Sequence, residues 1–327
     1  MFGSVSTTPE KLLQMVAALL LFAAVLGIVL FIASRIRGKG SDRWIGYLYL
    51  LPVLLMLSVG LVYPGLRTIY ESFFDAHGTG FIGIDNYKFI FTSGELRRVL
   101  GNTMIWVVLV PFLATAIGLV YSILVDKSRF ESFAKALVFL PMAISMVAAG
   151  VIWKFMYEYR VDQPKVQQIG LINQIIVWLG GKPVQLLITD TWGLNTLLLI
   201  VVFIWIQAGF AMTVLSAAVK AIPDDIIEAA RLDGVNAWTM FVKITLPSVR
   251  PTIVVVLTTI AIGTLKVFDV VRTMTGGNFN TSVIANEFYS QLIRADNQGL
   301  AAALAVILFV LVTPIVIYNI RSVRQEA

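Results

Sequence analysis

Three groups of residues carry the polar chemistry of this 327-residue chain. Gln207 lies in a long apolar run with Trp205 and Phe210 beside it. An amide next to aromatic faces suits a hydroxylated solute: the amide bonds hydroxyls, and the rings cover apolar surface. The same amide also suits interhelical packing, because Gln and the neighbouring Gly209 favour close helix association. The residues alone leave both readings open. A second group, Thr264, Lys266 and Asp269, lies in another apolar run. A spacing of three puts Lys266 and Asp269 on one face of a helix. There they form either a structural ion pair, with Lys266 reaching outward, or part of a solute path. The third group is a polar stretch from Lys220 to Pro251 set among apolar ones.

Several kinds of chemistry have no residues to perform them. Cysteine is absent and His77 is the single histidine, so no thiol nucleophile or transition-metal site is expected. His77 sits in a polar loop and reads as solvated. Carboxylates are not paired within the apolar runs, which argues against an integral membrane enzyme. No catalytic constellation is expected.

The elements that must position these residues are membrane helices. The chain is 58% hydrophobic and 13% charged, with a mean hydropathy of +0.86, against about 25% charged for soluble domains. A helix crosses a bilayer with about 20 apolar residues. The expected spans are Leu12 to Ser34, Trp44 to Leu66, Asn102 to Val125, Ala134 to Tyr157, Trp192 to Val219, Thr252 to Val271 and Gly299 to Ile320. The expected fold class is therefore an all-α polytopic membrane protein of about seven helices. The first span reads as retained, since Lys11 is its only N-terminal positive charge and no small-x-small cleavage site follows. Pro111, Pro141 and Gly150 within spans fit either kinks used in gating or ordinary bundle geometry.

Positive charge sets the expected orientation. Arg35 to Arg43 holds four Lys/Arg in nine residues, Asp126 to Lys135 three in ten, and Lys220 to Arg250 four, with Arg321 and Arg324 in the tail. These segments alternate so as to share one side, taken as cytoplasmic. The N-terminus is then outside and the C-terminus inside. The net charge of +6 reads as topology-setting loop charge, and no nucleic-acid partner is expected. The outer loops, Arg67 to Gly101, Glu158 to Asp190 and Val271 to Gln298, are longer. A short helix is expected at Ile169 to Leu179 and another around Val283 to Ile293.

The Lys220 to Pro251 segment reads as two short helices. Pro223 suits a first turn, and Asp224, Asp225 and Glu228 complement the positive helix end. Asp233-Gly234 ends the helix near Leu232, with Gly234 in the left-handed position. A second helix runs from about Asn236 to Thr245 and stops at Pro247. Its face of Trp238, Phe241, Val242 and Thr245 is mostly apolar. Glu228, Ala229 and Ala230 make a small-residue surface beside one carboxylate. An amphipathic loop resting on the bilayer and a docking surface both fit this pattern.

Glu228-Ala229-Ala230, Asp233-Gly234 and Ile244-x-Leu246-Pro247 resemble, at the same spacing, the EAA loop of the inner-membrane permease subunits of ABC importers. Lys220 to Pro223 and Lys243 to Pro247 are similar to the sugar-transporter branch, the permeases like the maltose-transporter long subunit. The resemblance covers roughly Trp44 to Arg324. It implies a six-helix permease core plus one N-terminal helix, with cytoplasmic coupling helices. Residues 1–43 would be the N-terminal helix and basic linker, and 44–327 the permease domain with its coupling loop at 220–251. Glu228, Ala229, Ala230, Asp233, Gly234, Leu246 and Pro247 would couple to an ATPase. The implied partners are a second homologous permease, two ATP-binding subunits, an extracytoplasmic solute-binding protein and membrane lipid.

The chain lacks a Gly-x4-Gly-Lys-Ser/Thr phosphate loop. No cofactor is expected here, ATP and magnesium being held by the partners. The resemblance also aligns Gly263 to Asp269 with the site-forming stretch of such subunits. Trp205, Gln207, Phe210, Gly263, Thr264, Lys266 and Asp269 are the candidates for the solute path. Thr275-Gly276-Gly277 is similar to that branch's outer turn, but Asn278-Phe279-Asn280 departs from it. The implied function is a permease of a prokaryotic inner-membrane importer for a sugar, such as an α-glucoside oligosaccharide. The alternatives are another solute, such as glycerol phosphate or another polyol, and an ATP-independent carrier. Lys266 is the only basic residue for a phosphate, which favours a neutral sugar.

Overall fold

The computed structural model describes residues 8–35, 41–126, 128–161, 167–190 and 193–326. The elements are all helical: α1 (Thr8–Arg35), α2 (Ser41–Leu57), α3 (Tyr63–Glu71), α4 (Asp85–Thr92), α5 (Gly94–Val125), α6 (Glu131–Phe139), α7 (Met146–Met156), α8 (Leu171–Trp178), α9 (Leu194–Lys220), α10 (Asp224–Leu232), α11 (Ala237–Met240), α12 (Leu246–Leu265), α13 (Asp269–Met274), α14 (Ile284–Tyr289) and α15 (Gln298–Glu326). Among the described residues six helices are long and apolar enough to cross a membrane, or seven if one bent pair counts as a span.

The chain divides into two compact units, Met1–Thr68 and Ile69–Ala327. In the first, most of the described apolar side chains of α1 and α2 are exposed, and Val29 and Ala33 are buried. Such a surface is stable only against lipid or another apolar partner.

The second unit has its core between α5, α9 and α12. Trp106 and Phe203 meet edge to face at 5.8 Å, with Val110, Leu199, Val256 and Ile260 buried around them. Small residues set the closest approach. A Cβ on Gly118 of α5 would lie 2.6 Å from both the Ala211 Cβ and the Met212 backbone nitrogen of α9. Gly209 does the same toward α6, where a Cβ would meet the Val138 carbonyl oxygen. A second cluster, Ile90, Leu96, Val99, Ile284, Leu300 and Leu304, joins α4, α5, α14 and α15.

Two expected spans are corrected. Ala134 to Tyr157 is not one straight helix: the stretches Glu131–Ala143 and Met146–Met156 bend by 103° at a short break. Pro141 lies in a tightened 3-10 turn, Leu140–Ala143, since its ring and missing N–H oppose a continuous α-helix. Ser145 then caps a new helix, its Oγ accepting from the Ala148 N–H at 3.1 Å. The Thr252 to Val271 span likewise ends early. Helix α12 stops at Leu265, residues 266–268 are non-helical, and α13 restarts at Asp269. The two short helices expected in the long loops fall where expected, as α8 and α14.

Candidate functional site

The Lys220 to Pro251 segment is built from its own local signals. Helix α10 starts at Asp224 after Pro223 and carries Asp224 and Asp225 in its first turn. It ends in a paired bond pattern: the Gly234 N–H reaches the Arg231 carbonyl at 3.0 Å and the Val235 N–H reaches Ala230 at 3.1 Å. Gly234 has φ +73°, the left-handed geometry that makes this C-terminal motif possible. Asn236 caps the next helix, its Oδ1 accepting from the Thr239 N–H at 2.8 Å.

Pro247 does not stop this second helix, contrary to expectation. Residues Phe241–Thr245 widen into a π-turn, and α12 continues through Pro247. The wider turn takes the backbone past the missing Pro247 N–H and the bulk of its ring.

These turns sort the candidate coupling residues into two sets. Glu228, Ala229, Asp233, Gly234 and Pro247 are exposed, whereas Ala230 is buried and Leu246 packs against the core. The exposed set is flanked by uncovered apolar groups: Leu232 is 89% and Trp238 72% exposed, with Ile226 and Val242 beside them. Where the segment leaves α9 it is tied to the α5–α6 turn. The Lys220 Nζ lies 2.5 Å from Glu131, which also pairs with Lys135 at 2.6 Å. Lys135 in turn donates to the Ser216 hydroxyl, and Asp126 is 3.9 Å from Lys220. Two basic loops expected on one side are therefore in contact.

The path candidates are only partly brought together. Gln207 on α9 faces Gly263 on α12: a Cβ at Gly263 would lie 3.8 Å from the Gln207 Nε2. The Gln207 side chain makes no hydrogen bond among the described residues. Trp205 stands edge-on to Trp153 at 5.6 Å, and Phe210 packs against the core. Thr264 is buried and its hydroxyl donates to the Ile260 carbonyl of its own helix at 2.7 Å, which uses up its proton. Lys266 and Asp269 do not share a helix face. Lys266 is the exposed C-cap of α12, and Asp269 opens α13 after the break. No ion pair joins them among the described residues.

The opposite end of this unit holds polar groups that spacing alone did not single out. Phe279 and Asn280 both adopt left-handed backbone, φ +57° and +61°, an uncommon state for such residues. Side chains from other helices hold them. Asn195 Nδ2 donates to the Phe279 carbonyl at 2.7 Å, and Asn102 Nδ2 to the Asn280 and Ser282 carbonyls at 2.6 and 3.0 Å. Asn280 Nδ2 donates to Asp190 at 2.6 Å. The one available signal was an amide at the start of each of two spans. Farther along this end, Asp75 closes a turn by accepting from the Thr79 N–H at 2.8 Å, the Gly80 N–H at 2.9 Å and the Thr79 hydroxyl at 2.9 Å. The Thr79 N–H is the first cause holding the Asp75 carboxyl below its ordinary 3.8. His77 is exposed in this turn. A cavity of about 460 Å³ opens beside the Phe279 turn, between the end of α7, the 185–188 loop and α13. None of the path candidates lines it.

Known proteins resemble the chain along most of its length. Residues 90–322 match the family described as binding-protein-dependent transport system inner membrane component. The osmoprotective compounds uptake permease GgtC of Synechocystis sp. is 46% identical over 279 residues, 85% of this chain and 99% of the relative. The alpha-glucoside transport system permease AglF of Rhizobium meliloti is 44% identical over 90% of this chain and 87% of the relative. Among solved structures, a chain of a bacterial ABC transporter involved in the import of the acidic polysaccharide alginate superposes with a TM-score of 0.73. It shares 25% identity and covers 88% of this chain and 98% of its own.

Proposed function

The chain belongs to the family of binding-protein-dependent transport system inner membrane components, and on that premise we propose that it passes a sugar, an oligosaccharide of the α-glucoside kind, through an ATP-driven importer. The substrate class rests on the 44% identity to a permease named for alpha-glucoside transport. Gln207 supports it: an amide without a hydrogen-bond partner, beside a glycine, has spare capacity for a hydroxyl. Gly263→Leu should crowd that amide and lower uptake while the protein still inserts.

The coupling reading is carried by the exposed set on α10 and its glycine turn. A small-residue surface with one carboxylate and four bare apolar groups suits a cleft in another protein. In the proposed assembly this chain pairs with a second permease, two ATP-binding subunits dock beneath, and a solute-binding protein docks above. ATP and magnesium belong to the ATP-binding subunits. ATP would then shift the population between inward- and outward-open forms through its differential binding. The Lys220 end is cytoplasmic in this reading, with the N-terminus outside and the C-terminus inside. Residues 1–43 form the added helix and its basic linker, and 44–327 the permease domain.

A second reading has its own observation, the 46% identity to a permease named for osmoprotective compounds. That favours a small osmoprotective solute over a long oligosaccharide, and a polyol is the kind that an unpaired amide suits. One ligand screen separates them. The solute-binding protein that co-purifies with the chain is heated with α-glucosides, simple polyols and amino acids. Stabilisation by α-glucosides supports the first reading and by polyols the second. Stabilisation by anions or amino acids alone overturns both.

A further inference from the structure

The 460 Å³ cavity beside the Phe279 turn lies within the roughly 300–1,000 Å³ range of small-molecule sites. Polar groups line it whose hydrogen-bonding capacity is unused. Lys154, Glu158, Gln185 and Arg272 all border it, and none of their side chains has a hydrogen bond or ion pair among the described residues. Arg272 is the telling member. Its guanidinium lies over the Tyr289 ring, 4.6 Å from the centroid, and its Nη1 is shut off from solvent without an acceptor. That nitrogen is therefore out of a ligand's reach, and Arg272 offers the cavity the guanidinium nitrogens that remain accessible, none of them hydrogen-bonded among the described residues. The stacking on Tyr289 keeps the guanidinium from swinging away to water.

Aromatic walls complete the set. Tyr159 and Phe279 line the same cavity, and Phe279 is held in its left-handed conformation by Asn195 from α9. Two cations, one carboxylate and one amide between aromatic faces suit a neutral ring bearing adjacent hydroxyls. Guanidinium and ammonium donate to hydroxyl oxygens, the carboxylate accepts from hydroxyl protons, and the rings cover the ring's apolar face. A plain anion would make poor use of Glu158.

We propose that this cavity is an outer saccharide subsite, separate from the Gln207–Gly263 position, which receives a sugar ring before it enters the path. The proposal rests on the sugar reading above. It is tested in liposomes holding the complete importer, with trehalose and maltose as probes and the loaded binding protein saturating. Uptake and binding-protein-stimulated ATP hydrolysis are read together, for Arg272→Gln and for the double variant Lys154→Ala/Gln185→Ala. The double variant changes exposed rim residues and leaves the fold intact.

Arg272→Gln should lower sugar uptake by about fivefold, the size of one lost hydrogen bond, and the double variant, which removes two partners, by more, with ATP hydrolysis nearly unchanged in both. Wild-type uptake in the double variant overturns the subsite, as does a parallel fall of uptake and hydrolysis in both variants. Failure of the wild-type importer to carry either sugar overturns the sugar reading itself, and the subsite with it.

Discussion

The α10 segment and the Phe279 turn are both loops between long helices, yet they are built in opposite ways. The α10 segment closes its own turns by bonds between near neighbours, a glycine-ended helix, an Asn236 cap and a π-turn, and is anchored to the α5–α6 turn where it leaves α9. Its outward face keeps Leu232 and Trp238 bare. The Phe279 turn is held by amides reaching from helices far away in sequence, Asn102 and Asn195. A locally determined element keeps its shape when a partner pulls on it and can be displaced as a piece. A cross-braced element is fixed to the helices that brace it. The first region is built to move as a unit, the second to stay in place.

The largest expected effect comes from breaking the local design. Glu228→Lys or Gly234→Asp should lower uptake by about tenfold or more, within the range of one coupling interaction, while the chain still inserts. Nothing lies within 4 Å of a Cβ at Gly234, so Gly234→Asp should cost the fold only the added left-handed strain, about 1–2 kcal/mol. Uptake and ATP hydrolysis measured in the same vesicles check this. Full transport-coupled hydrolysis in both variants would remove the segment from the coupling role.

A smaller effect is expected from unbracing the other region. Asn195→Ala removes a part-buried hydrogen bond to the Phe279 carbonyl, worth about 1 kcal/mol. Thermal unfolding of the purified complex should fall by a few degrees, whereas Glu228→Lys should leave it unmoved. Equal thermal shifts in the two variants would erase the distinction.

The smallest effect concerns Asp75, which anchors its turn by local bonds but sits at the braced end. Its carboxyl is depressed below 3.8, so the folded chain binds this proton less readily than the unfolded chain. The contribution to stability is complete above the ordinary carboxylate value and is lost as pH falls through the depressed one. The turn should resist pepsin at about pH 5 and yield only in stronger acid. Asp75→Asn should lack this acid step. Identical pH profiles for the two chains would show that the carboxylate does not close the turn.

What could be read from the sequence follows the same division. The spans without an internal break, the Gly234 turn and the helix start near Asn236 depend on neighbours a few residues apart, and these were legible. The bend between α6 and α7 was not, although Pro141 and Ser145 mark it, because either residue alone is tolerated in a membrane helix. Pro247 misled because a π-turn upstream changes what a proline costs. Lys266 and Asp269 misled because an apolar run conceals a helix break. The Asn102 and Asn195 braces could not be read at all, since their acceptors lie more than eighty residues away.

The crossing of α5 and α9 at Gly118 has a kinematic consequence. Two helices that meet backbone against backbone, with no side chain between them at Ala211 and Met212, have no clearance in which one can slide or roll over the other. They travel as one strut. A rearrangement of this unit that keeps the crossing intact would turn about that strut, with its freedom at the 103° elbow and the α12–α13 gap.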